Sequence, residues 1–181
     1  HKMINSGTCA VITESIQNKS GLKIPEKDYL LEVARICREY NLLFILDESQ
    51  SGLGRSGELL FYQSENIQPD AVILGQALGG GFLTTSALVG RIDLLSLSES
   101  SSFQTPFSAA IGLASLNVLI EENLSERSAE LGEYFLNRLR HIESPYIHDI
   151  KGKGLWISIE IDPSWRTAES LCEQLMHMGI L

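Results

Sequence analysis

Two apolar runs of strand length, each closed by a polar side chain, constrain this chain more than any other feature. Leu42–Leu46 ends at Asp47, and Ala71–Leu74 runs through Gly75 to Gln76. Turn residues flank both runs, so each reads as a buried parallel strand. In open parallel sheets, ligands sit outside the carboxyl ends of the strands. The pattern therefore puts Asp47 and Gln76 side by side at the mouth of one crevice. A carboxylate there must be paired or hydrogen-bonded. It either organises nearby loop amides or meets a cationic ligand group such as a protonated pyridine nitrogen.

The neighbouring segments extend the same plan. Thr8–Glu14 reads as a third strand ending at the same rim, and Ser15–Pro25 as a polar loop. Pro25 is expected to open a helix that runs to Tyr40, with Tyr29, Leu30, Val33, Ala34, Ile36 and Cys37 on one face. Asn41 is a left-handed cap. Strand, helix and strand make a right-handed crossover unit. Beyond Asp47 come a glycine-punctuated loop (Ser51–Gly57), a short helix at Glu58–Ser64, the strand Ala71–Leu74, a Gly79–Gly81 hinge and a strand at Thr84–Val89.

Pro106 is expected to start a helix to about Glu122, burying Ile111, Leu113, Ala114, Leu116, Val118, Leu119 and Ile120. Ser125 caps a second helix to Ile142. Past a boundary near Ser144, Ile147–Ile150 and Leu155–Ile161 read as strands and Thr167–Met178 as a last helix. The fold class is α/β: a large domain over residues 1–143, with a mostly parallel sheet and helices on both faces, then the start of a small α+β domain over 144–181.

Composition narrows the partners. The net charge of −9 argues against a nucleic-acid surface, which needs clustered Lys and Arg. No run approaches the roughly 18 apolar residues of a membrane span. Cys9, Cys37 and Cys172 read as reduced core thiols of a cytosol-like compartment, and no spacing suggests a metal. The start, His1–Lys2–Met3, and an end inside the apolar run Met176–Leu181 lead us to expect a piece of a longer chain. Gly79–Gly81 and Gly52–Gly54 match neither GxGxxG nor a P-loop. Ser100, Ser101 and Ser102 lie before the Pro106 helix, where hydroxyls serve either an anion or plain capping.

The blocks LDESQSGLGRSG (from Leu46) and LGQALGGG (from Leu74), with ITESIQNKSG (Ile12–Gly21), PxxxYL (Pro25–Leu30) and KGKGL (Lys151–Leu155), resemble class III aminotransferases. The likeness is greatest to the ornithine and acetylornithine aminotransferase group, and it covers essentially the whole chain in consistent order. It implies a fold type I large domain, pyridoxal 5'-phosphate as cofactor, a homodimer, and amino transfer from an amino donor to a 2-oxo acid. It implies that Asp47 binds the pyridine nitrogen, Gln50 lies near the phenolic oxygen, and Glu14 is the acid that meets an active-site arginine. Ser101 or Ser102 would reach the cofactor phosphate of the neighbouring subunit, and Val11 or Ser49 the ring face. The implied location is cytoplasmic, or the mitochondrial matrix if a transit peptide precedes His1.

The departures matter as much. The family's catalytic lysine, which bonds to the cofactor and moves the substrate proton, falls on Gln76. A carboxamide nitrogen is not nucleophilic and has no usable basicity near neutral pH. None of Lys19, Lys23, Lys27, Lys151 and Lys153 is expected at the rim. Ser15 stands for a family proline, Asn18 for a glycine and Thr105 for an asparagine. The family's N-terminal half and the distal part of its small domain are absent. The chain is thus expected to be inactive as written. A non-catalytic homologue kept for assembly, regulation or ligand binding is the alternative, and a nucleotide-binding α/β domain unrelated to the cofactor is the third reading.

Overall fold

The computed structural model describes residues 4–19, 21–95 and 105–180. Ser101 and Ser102 lie outside them. Strands β1 (Ala10–Glu14), β2 (Leu43–Asp47), β3 (Ala71–Leu74) and β4 (Ala87–Gly90) form one sheet in that order. The first three run parallel, with Glu14 level with Asp47 and Asp47 level with Ile73; β4 returns antiparallel to β3. The sheet is thus mixed and mostly parallel.

Helix α1 (Tyr29–Glu39) joins β1 to β2 and buries Leu30, Ala34 and Cys37. These pack with Ile16, Leu22, Leu42, Phe44, Leu46 and Phe61 in one core. Burial alternates along β2: Leu42, Phe44 and Leu46 are fully inside, whereas Leu43, Ile45 and Asp47 are half-buried. Only one face of this strand is completely covered, where sequence alone predicted burial on both.

Two helix starts differ from expectation. Helix α1 begins at Tyr29, after Asp28 in a left-handed conformation. Pro25 instead follows an extended arm in which Gln17 and Lys23 exchange both backbone hydrogen bonds, at 3.1 and 2.8 Å. A short helix, α2 (Ile92–Leu95), follows β4. Helix α3 (Pro106–Glu121) does start at Pro106, capped by the Thr105 hydroxyl, which accepts from Ser108 N at 3.2 Å. Helix α4 (Leu124–Arg140) is preceded by Asn123, also left-handed, so Ser125 lies within the helix rather than at its cap.

The expected buried face of α3 is covered only in part: Ile111, Leu116 and Leu119 are half-buried, and the other four are exposed. Leu113 is 61% and Ile120 57% exposed, and Gly112, against Leu78, is the buried residue of the helix. The short helix expected at Glu58–Ser64 is a 3-10 turn at Phe61–Glu65. Of the cysteines, Cys37 is buried, but Cys9 and Cys172 are exposed, so two of the three are not core thiols.

Strands β5 (Ile147–Lys153) and β6 (Trp156–Ile161) pair antiparallel as a separate two-stranded sheet, followed by α5 (Ala168–His177). Their turn docks on the rest of the chain. Leu155 N donates to the Arg55 carbonyl at 3.0 Å, and Ser128 Oγ on α4 donates to the same oxygen at 3.2 Å. Among the described residues, no helix is long and apolar enough to cross a membrane.

Candidate active site at the rim of the sheet

The site is set by the ends of three parallel strands. Glu14, Asp47 and the residue pair Gly75–Gln76 follow one another across the rim, because β1, β2 and β3 are adjacent and in register. Ser15 N donates to the Asp47 carbonyl at 3.3 Å, and Glu48 N to the Ile73 carbonyl at 2.9 Å, so the ladder continues past the last strand residues.

Asp47 closes a tight turn onto its own neighbour. Its Oδ1 accepts from Ser49 N at 2.9 Å and from Ser49 Oγ at 2.5 Å. This is the side-chain turn that Asp readily forms with an amide two residues on. No donor among the described residues reaches Oδ2. Gly75 backs against the turn so closely that its position requires glycine: a Cβ there would stand 2.5 Å from the Ser49 carbonyl oxygen.

Gln76 follows at once, opening a 3-10 turn (Gln76–Gly79), and its side chain is exposed. It lines a cavity of about 340 Å³ with Arg55, Ala77, Gly81, Phe82, Leu83 and Thr84. Asp47 and Gln76 therefore share the rim, but Asp47 is not in the wall of that cavity. Gln50 is exposed and accepts from Arg55 Nη1 at 3.4 Å. The Arg55 guanidinium also stands 5.9 Å from the centre of the Trp156 ring.

Glu14 is half-buried and lines a cavity of about 270 Å³ with Ile12, Thr13, Gln17, Lys19 and Lys23. Two lysines thus come near the rim, contrary to expectation. The reason is the extended arm, which folds Lys23 back beside Gln17.

Sequence reading missed Glu48. It is 1% exposed and holds three segments together. Its Oε2 accepts from Phe61 N at 2.7 Å; its Oε1 accepts from Tyr62 N at 2.8 Å and from Ser15 Oγ at 3.0 Å. Burial pushes its carboxyl above the ordinary value, and the donated hydrogen bonds offset part of that rise. The signal was present in the two-residue period of the strand. Phe44, Leu46 and Glu48 share the buried face, and Asp47 faces the other way. Ser15 supplies the hydroxyl that reaches this carboxylate.

The mixed, mostly parallel sheet and its helices match solved aminotransferases of fold type I. The model of the aminotransferase class-III family matches residues 1–181, and the chain belongs to that family. It is 44% identical over 183 residues to the ornithine aminotransferase of an Exiguobacterium species, covering 98% of this chain and 45% of that protein.

Its structure superposes on an ornithine aminotransferase from Plasmodium yoelii with a TM-score of 0.89 and 37% identity, covering 96% of this chain and 48% of the other. The ornithine aminotransferase of Toxoplasma gondii, described with partial occupancy of PLP at its active site, matches with a TM-score of 0.87 and 32% identity over 95% of this chain and 42% of that one. The chain spans less than half the length of these relatives.

Proposed function

We propose that this chain is the portion of an ornithine aminotransferase-like enzyme that carries the pyridine-nitrogen acid, and that as written it does not transfer amino groups. The observation that carries the reading is Gln76: the rim position next to the Asp47 turn, where the family has its lysine, bears a neutral amide. The parent reaction is transfer of an amino group from an ornithine-like or other amino donor to a 2-oxo acid.

The residues suit pyridoxal 5'-phosphate in part. Asp47 offers a half-buried carboxylate with one oxygen tied to Ser49 and the other without a donor among the described residues, which fits a protonated ring nitrogen. When bound, the cofactor supplies an electron sink for the substrate carbon. Asp47 would hold the ring nitrogen in its charged form, Gln50 the phenolic oxygen, and Ser101 or Ser102 the phosphate of a second subunit. Glu14 would meet an arginine from the absent part of the site. Gln76 can donate and accept hydrogen bonds but cannot attach covalently or relay the proton, so the cofactor would be held without a covalent bond to the protein.

The family's two-subunit site makes a homodimer the assembly we propose. The broad exposed apolar surface of α3, with Phe107, Leu113, Val118 and Ile120, supports it. Residues 1–143 then belong to the cofactor-binding domain and 144–181 begin the smaller one. The protein would act in the cytoplasm or the mitochondrial matrix. A second reading, a homologue kept for assembly, regulation or ligand binding, is favoured by the altered Glu14 loop, where Ser15 serves Glu48 instead of the family's proline.

The test is Gln76→Lys in the full-length parent, loaded with pyridoxal phosphate and mixed with ornithine. Conversion of the cofactor to its amino form in one turnover supports a recently lost enzyme, and continued silence favours the second reading. Amino transfer by the unaltered Gln76 parent overturns the proposal.

A further inference from the structure

We infer that Ser49 is a positioning residue for the cofactor acid: its hydroxyl and amide together lock the Asp47 carboxylate so that Oδ2 alone faces a ring N–H. The inference rests on the reading of Asp47 given above and assigns Ser49 a part distinct from a mere contact with the ring face.

The argument starts from the turn. Ser49 gives both its donors, N at 2.9 Å and Oγ at 2.5 Å, to the same oxygen, Oδ1. Swinging the carboxylate about its last torsion breaks both bonds, so the group has one strongly preferred orientation. Oδ2 is then left as an acceptor with no donor among the described residues. A carboxylate that must receive one N–H from a planar ring needs this division, one oxygen anchored by the protein and one open.

Ser49 is itself closely packed. Gly75 packs against its carbonyl oxygen, Cα and Cβ, all within 2.9 Å of where a Gly75 Cβ would sit. The strand end beneath is pinned by the Ser15 and Glu48 amides. The backbone that carries the hydroxyl is thus held by packing. An alanine at position 49 keeps the amide bond but removes the hydroxyl that completes the lock. A threonine keeps the hydroxyl.

The test compares pyridoxamine 5'-phosphate with its analogue in which the ring nitrogen is replaced by C–H, measuring both affinities on the full-length parent. The unaltered protein is expected to prefer the nitrogen compound. Ser49→Ala should shrink that preference by roughly 2- to 10-fold, the net worth of one ordinary hydrogen bond, while Ser49→Thr retains it. In the Asp47→Asn background, Ser49→Ala should change the preference no further, since its effect runs through the carboxylate. An unchanged preference in Ser49→Ala overturns the role of Ser49 and leaves Asp47 standing. If the unaltered protein does not distinguish the two compounds, the Asp47 reading falls and Ser49 with it. If Ser49→Ala does not fold, loss of the preference in Ser49→Thr overturns the inference and its retention supports it.

Discussion

Gly75 lies against Ser49 with no room for a side chain between them, and this contact sets the spacing between the acid of one strand and the amide that follows the next. Together they hold the Asp47 turn against the strand end that precedes Gln76.

Gly75→Ala should therefore destabilise the chain and disturb the rim together. Its Cβ meets backbone, not a movable side-chain tip, so the turn itself must shift. Overpacking of this kind costs about 1–3 kcal/mol. Urea denaturation should show a lower midpoint at unchanged slope.

Glu48→Gln should cost about 1–3 kcal/mol, because an amide nitrogen replaces one of two oxygens that each accept a backbone N–H. The pH dependence gives a second signature. Burial raises the Glu48 carboxyl above its ordinary 4.5, so the folded chain holds this proton more tightly than the unfolded one. That contribution is full below the unfolded value and is lost as pH rises through the raised folded value. The stability difference between the unaltered chain and Glu48→Gln should accordingly shrink as pH rises from about 4.5. A difference that grows over that range contradicts the assignment.

Asp70 ties three strand ends at the opposite edge. Its Oδ2 accepts from Phe44 N at 2.8 Å and its Oδ1 from Arg91 Nη1 at 2.6 Å. Asp70→Ala leaves the Phe44 amide without its partner and should cost about 1–3 kcal/mol. Arg91→Ala, at an exposed ion pair, should change stability little. Equal losses in the two variants would mean that the ion pair, not the amide, is what counts.

The strand plan was legible because each short apolar run ends in one polar residue, and α1, α4 and α5 announced themselves by a polar face opposite an apolar one. Helix α3 did not. It is apolar nearly all round, so periodicity cannot select the side that packs, and only Gly112 against Leu78 is buried. Pro25 misled because proline suits an extended arm as well as a first helical turn. Asn123 won the α4 cap over Ser125 by adopting the left-handed conformation that asparagine tolerates. At the rim, the strand ends that carry Asp47 and precede Gln76 could be read from the apolar runs. The tie between Asp47 and Ser49 could not, because it depends on how the turn folds back. Nor could the cavity that joins Lys19 and Lys23 to Glu14, which is a matter of tertiary packing.

Under the proposed function, position 76 is where covalent attachment was lost. Borohydride reduction of the protein in pyridoxal phosphate, followed by peptide mass mapping, tests it most directly. We predict no stoichiometric attachment to any single residue in the unaltered full-length parent, and one cofactor per chain at position 76 in Gln76→Lys. Stoichiometric attachment to another lysine of the unaltered chain, Lys19 or Lys23 beside Glu14 included, would contradict it.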